Sequence, residues 1–120
     1  MSRNISNYIV YKAAHELVLK VYAVTQSFPR EEKFGLISQM RRSSASVPTN
    51  LAEGAARDSE AEFRYFVNIA RGSLAEFKYQ LFLCRDLHYI SNDLFAELEK
   101  KTNDIGKMLT GLHQKLKAKS

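Results

Sequence analysis

Apolar residues recur along the chain in four blocks, mostly at alternating spacings of three and four. In the first block Val10, Ala14, Leu17, Val21, Val24 and Phe28 fall on one stripe of a helix. This predicts a helix over about 7–28, stopped at Phe28-Pro29 because the residue before a proline is pushed out of the α region. The second block, about 30–56, opens with Glu31 and Glu32, which suit the positive end of a helix dipole. Its seam is Ile37, Met40, Ser44, Val47, Leu51 and Gly54, with Ser44 and Gly54 small enough to let a neighbouring backbone approach. Pro48 removes one helical N–H, so either the helix kinks there or Ser43–Ser46 forms a loop between two shorter helices.

Ser59 with Glu62 three residues on is a capping box and starts the third helix, about 59–89. It carries two seams. One is Phe63, Phe66, Ala70, Ser73 and Phe77; the other is Val67, Leu74, Leu81 and His88, with Cys84 alongside. An apolar face this wide has to touch more than one partner. Ser91-Asn92-Asp93 caps a fourth helix, about 92–117, with the stripe Leu94, Leu98, Ile105, Leu109, Leu112 and Leu116. Lys101 and Thr102 interrupt that stripe, and Gly106 and Gly111 weaken it. Four long helices with short links predict an all-α, antiparallel up-down four-helix bundle, with residues 1–120 as a single domain.

Composition narrows this picture. Only 5 Gly and 2 Pro in 120 residues argue against a many-turned β-sandwich or barrel. One Cys excludes an internal disulfide framework and a Cys-rich zinc module. No apolar run approaches the ~18 residues of a membrane span, and the polar start is not laid out as a signal peptide, so a cytoplasmic location is expected, with no membrane partner. The net charge of +5 suits a polyanionic partner without requiring one.

Catalytic and metal-binding patterns are incomplete. His15-Glu16-Leu17-Val18-Leu19 begins like a zincin helix but lacks the second His, and His15, His88 and His113 fall on different helices. Gly106-Lys107 has no glycine five residues earlier to make a phosphate loop, and Gly72-Ser73-Leu74 lies in a helix rather than a nucleophile elbow. No Glu-x-x-His pair supports a di-iron bundle. Cys84, on an apolar seam, reads as a buried structural thiol. The expectation is a non-enzyme with no cofactor and no metal.

The segment from Phe28 to Glu76 is the most distinctive. It holds Phe28-Pro29, Glu32, Gly35-Leu36, Gln39, Arg41-Arg42, Ser46-Val47-Pro48, Asn50, Ala52-Glu53-Gly54, Arg57, Phe63, Phe66, Ile69-Ala70, Gly72-Ser73-Leu74 and Glu76. This pattern resembles the four helix bundle protein family, also called 23S rRNA intervening-sequence or S23-type ribosomal proteins. Tyr11 stands where many relatives carry a Trp. The resemblance implies an antiparallel bundle whose second helix is continuous and kinked at Pro48. It also implies ring-like homo-oligomers, pentamers among them, and a more distant likeness to the nucleic-acid-binding accessory proteins of diversity-generating retroelements.

The motif residues also admit a reading of their own. If helices two and three meet at Arg57/Asp58, Gln39 faces Glu76, Arg42 faces Ser73 and Ser46 faces Ile69. Arg42 with Glu76 then makes an ion pair, and Gln39, Ser46, Pro48, Asn50, Glu53, Gly54, Ser73 and Glu76 form a polar motif that fixes the bundle's register. The alternative is that Arg41, Arg42, Arg57, Arg64 and Arg71 form a phosphate-binding band, with Arg64 and Arg71 on one helical face. Two functions follow. One is an oligomeric module bound to RNA (rRNA by the resemblance) or DNA. The other is an oligomeric scaffold that binds a protein partner and no nucleic acid.

Overall fold

The computed structural model describes residues 3–119, which form four helices and two short 3-10 turns. Helix α1 is Ile9–Thr25, α2 Leu36–Ala55, α3 Glu60–Asp86 and α4 Asn92–Lys119. The 3-10 turns, Ile5–Asn7 and Arg30–Glu32, precede α1 and α2. A 28-residue helix is ~42 Å long, so α4 alone accounts for most of the molecule's 46 Å long axis.

Contacts run in opposite orders along each neighbouring pair, which makes the bundle antiparallel and up-down. Along α2 and α3, Gly54 meets Phe63 and Phe66, Ser46 meets Ser73, and Ser43 meets Gln80. Along α3 and α4, Phe82 packs on Phe95 while Leu74 lies against Gly106. Arg3 reaches the end of α2 while Arg41 of α2 bonds Thr25 at the end of α1. The diagonal pairs α1–α3 and α2–α4 stay apart.

One hydrophobic cluster runs through all four helices. The expected stripes supply most of it: Val10, Ala14, Leu17 and Val21 from α1, Met40, Val47 and Leu51 from α2, Phe63, Val67, Ala70, Leu74, Phe77 and Leu81 from α3, and Leu98, Ile105, Leu109 and Leu116 from α4. Thr102, expected to interrupt the α4 stripe, is buried instead, its hydroxyl donating to Leu98 O at 2.7 Å. Cys84 is buried and its Sγ–H donates to Leu81 O; burial pushes the thiol up to about 11, which leaves it protonated and unreactive at neutral pH.

Three helix ends differ from the sequence reading. α1 stops at Thr25, and Phe28 is buried from the following turn, tilted against Tyr89 at 5.2 Å. α2 starts at Leu36 rather than near Arg30, because Glu32 folds back to accept the Leu36 N–H at 3.1 Å and so caps the helix from outside it. α3 ends at Asp86 in a Schellman turn: Tyr89 N bonds Cys84 O and His88 N bonds Arg85 O. His88 takes the left-handed position (φ 63°) and leaves the seam for solvent.

Helix α2 is continuous through Pro48, so Ser43–Ser46 is helical and not a loop. Side chains reinforce the backbone on both sides of the proline. Thr49 Oγ1 donates to Ala45 O, Asn50 Nδ2 donates to Ser46 O, and Ser44 Oγ donates to Arg41 O.

Candidate nucleic-acid interface

The polar motif divides into a half-buried part and an exposed part. Ser46 and Ser73 hydroxyls bond at 2.8 Å across α2 and α3, and Asn50 Nδ2 also donates to Ser46 Oγ at 2.9 Å. Gly54 is buried against α3, with Phe66 and Phe63 where a Cβ would lie. Gln39 and Glu76 are both exposed, and Glu53 pairs locally with Arg57 at 3.0 Å.

The Arg42–Glu76 ion pair does not form. Arg42 is exposed and donates to Ser38 one turn earlier at 3.3 Å, and Ser46, not Arg42, meets Ser73. The register is displaced by about one helical turn from the sequence reading. The physical cause is the lean of every Cα–Cβ bond toward its helix N-terminus, which carries facing side chains of an antiparallel pair in opposite directions. Sequence reasoning also missed Gln80, buried on α3, whose Oε1 accepts from Ser43 Oγ at 2.6 Å.

The five arginines do not share a face. Arg41 is half-buried between α1 and α2, donating from Nε to Thr25 Oγ1 at 2.9 Å and from its guanidinium to Tyr22 O at 3.3 Å. Arg57 lies in the turn before α3, paired with Glu53 and stacked 4.8 Å from the Phe66 ring. Arg71 lines the other side of the bundle against α4, and Arg64 is near enough to His113 of α4 for its charge to act there.

There an open groove of about 700 Å³ runs between α3 and α4. Arg71, Lys78 and Lys107 line it with Asn103 and Gln114, and Gly106 and Gly111 keep its α4 wall low. No carboxylate is among its lining residues. Arg71 donates to Asn68 Oδ1 at 3.3 Å, three residues away on its own helix. At one end of this region His113 is half-buried; burial, then the charges of Arg71, Arg64 and Lys117, hold its imidazole below the usual histidine range. Cations from two helices therefore converge on one site.

Lys78, Lys107, His113 and Lys117 were not expected from the sequence as members of a cationic site; Lys107 and His113 entered only as incomplete phosphate-loop and metal patterns. Lys78 carried a signal, since it continues the seven-residue spacing of Arg64 and Arg71. The α4 residues carried none until α4 was placed beside α3. Arg3 was missed as well; it ties the segment before α1 to the α2–α3 turn through Arg57 O at 2.8 Å, the Glu60 carboxylate and the Phe63 ring.

Among the described residues, no three of His, Cys, Asp and Glu come together to hold a metal ion, and no helix is long and apolar enough to cross a membrane. The class is thus an all-helical bundle with a cationic interhelical groove. The chain belongs to the 23S rRNA-intervening sequence protein family, whose model matches residues 6–111. A similar solved structure is that of a protein of unknown function from the S23 ribosomal protein family of Bacteroides thetaiotaomicron VPI-5482. It has a TM-score of 0.81 and 22% identity, and the match covers 88% of this chain and 96% of that one. That likeness establishes the shared fold. No match was found among curated proteins.

Proposed function

We propose that this protein is a non-enzymatic, homo-oligomeric, cytoplasmic bundle that binds RNA electrostatically through the α3–α4 groove. The observation that carries the reading is the groove's lining: its charged members, Arg71, Lys78 and Lys107, are all cations. Phosphate oxygens would answer that charge, while Asn103 and Gln114 offer amide donors to phosphate or sugar. The family's association with 23S rRNA intervening sequences favours RNA over DNA.

Assembly has a separate support. Tyr65, Ile69 and Tyr79 are exposed on α3, and at ~100° per residue they fall within about 80° of one another, roughly opposite the groove. Gly72 on the same face has open space above it, so a second helix can approach closely. Exposed Glu76 shares this face, and we propose from its exposed rings and Ile69 that it is where copies of the chain meet in a ring, a pentamer being the form the resemblance suggests. The same face favours the second reading, a scaffold for another protein, if copies of the chain do not cover it.

The test is binding of a structured RNA hairpin at a series of salt concentrations. Replacing Arg71 and Lys107 with Gln is expected to weaken binding and to make the log–log salt slope shallower by roughly 1–2, as two phosphate contacts are lost. Helicity and assembled mass should not change. The His113 pKa, followed by NMR, should rise in the variant because one of its cationic neighbours is gone. Absence of hairpin binding at low salt, or a slope that the substitutions leave unaltered, overturns the α3–α4 groove as an RNA site.

A further inference from the structure

The α1–α2 side of the bundle carries a second surface of different construction. Phe34 lies between the second 3-10 turn and α2 and is 88% exposed, more than any other large apolar side chain among the described residues. It borders an open groove of about 710 Å³ that Tyr22, Lys33, Arg41 and Arg42 also line. Every charged residue of that lining is again a cation.

The aromatic rings and the cations alternate here. Lys33 Nζ lies 5.4 Å from the Phe34 ring centroid, and the Arg41 guanidinium lies 4.5 Å from that of Tyr22. Arg41 is fixed by its bonds to Thr25 and Tyr22 O, so it braces the Tyr22 ring from α2. Arg42 and Lys33 are exposed. The α3–α4 groove, by contrast, has no aromatic residue in its lining.

Rings interleaved with cations match the chemistry of a single nucleic-acid strand, whose unpaired bases present π-faces and whose phosphates need neutralising. A paired stem offers only the phosphates, because its bases are already stacked. We propose that the α1–α2 groove binds unpaired RNA, with a base stacked on Phe34 and the flanking phosphates met by Lys33 and Arg42. The proposal rests on the RNA reading but assigns a second site and a different ligand chemistry.

A second copy of this chain is the competing occupant. In a ring a second copy would present a different face to this groove, so charge repulsion excludes only a two-fold contact, which would set Lys33, Arg41 and Arg42 against the same three cations with no lining carboxylate between them. The rings set beside cations favour the nucleic-acid strand, and the assembled mass of Phe34→Ala decides between it and a ring neighbour.

The experiment is fluorescence anisotropy of a labelled single-stranded hexa-adenylate RNA with the full chain at low salt, with the structured hairpin run in parallel. Phe34→Ala is expected to weaken hexa-adenylate binding on the order of tenfold, the scale of one stacked base. Phe34→Leu should lose as much, since it keeps the bulk without the ring, and Phe34→Tyr should restore binding. Arg71→Gln with Lys107→Gln should leave hexa-adenylate affinity within about twofold of wild type. The proposal is overturned if Phe34→Ala leaves the affinity unaltered, if Phe34→Leu binds like wild type, or if Phe34→Ala lowers the assembled mass in light scattering. Loss of hairpin binding alone would remove the α3–α4 reading and leave this one standing.

Discussion

Gly54 shows how much a single residue can reveal before and after folding. Its place on the α2 seam, three residues past Leu51, already implied a close approach of another backbone. The fold supplies the partner: a Cβ added at Gly54 would lie 2.6 Å from Phe66 Cβ and 3.0 Å from Phe63 Cδ1. Phe66 Cβ is bound to its backbone, so relief requires α2 and α3 to separate rather than a side chain to turn. Gly54→Ala therefore gains helix propensity but strains the best-packed crossing. Setting about 1–3 kcal/mol of overpacking against about 1 kcal/mol of propensity, the net expectation is destabilisation of up to about 2 kcal/mol. Urea denaturation followed by circular dichroism measures it, and a variant at least as stable as wild type would refute the crowding argument. His88 is the opposite case. Its spacing placed it on a seam, but a left-handed backbone at a helix C-terminus leaves no periodic trace when the residue is not glycine.

At the scale of elements, the buried stripes were legible because burial follows the 3.6-residue period, and the ends were less so because capping depends on side chains that fold back. Glu32 is the clearest instance. From sequence it reads as a first-turn carboxylate; in the fold it lies outside α2, one oxygen accepting from Leu36 N and the other from the Tyr89 hydroxyl at 2.7 Å. It thereby joins the start of α2 to the loop after α3. The Tyr89 hydrogen bond, then that from Leu36 N, holds the Glu32 carboxyl below its ordinary range. A depressed carboxyl stabilises the fold above its unfolded-state pKa, and that contribution is lost as pH falls through the folded-state value. Tyr89 is shifted the other way: its hydrogen bond to Glu32 comes first among the causes that raise it, so its contribution is lost as pH rises through its folded-state value. Thermal unfolding between pH 7 and pH 3 should thus show a falling midpoint. Glu32→Gln should begin with a lower midpoint at pH 7 and fall less on acidification. A variant whose acid limb parallels that of wild type would show that Glu32 contributes nothing to it.

At the scale of the whole molecule, the four-helix arrangement followed from four stripes and three short links, but its two cationic grooves did not. A groove is made by residues on different helices, and one chain's periodicity cannot say which outward faces become neighbours. Arg64 and Arg71 were legible as a pair on one helix, whereas Lys107, His113 and Lys117 joined them only once α4 lay antiparallel to α3. Arg41 and Arg42, adjacent to the same motif in sequence, went to the far side of the bundle. The proposed assembly through Tyr65, Ile69 and Tyr79 gives this geometry a collective consequence, since that face lies away from the α3–α4 groove and leaves it open in every copy. Each subunit's modest phosphate contact is then repeated on one particle, and linked contacts raise affinity without any new interaction. Ile69→Glu adds a charge to this face beside Tyr65 but outside the bundle core, because Ile69 is 37% exposed. Light scattering at micromolar concentration should give a multiple of 13.7 kDa for wild type and the monomer mass for the variant, with unaltered helicity. RNA affinity should fall in parallel and its salt slope should become shallower, since one subunit neutralises fewer phosphates than a ring. A wild-type protein that is already monomeric would end the assembly proposal. A monomeric variant that retains wild-type affinity and slope would show that one α3–α4 groove binds RNA unaided.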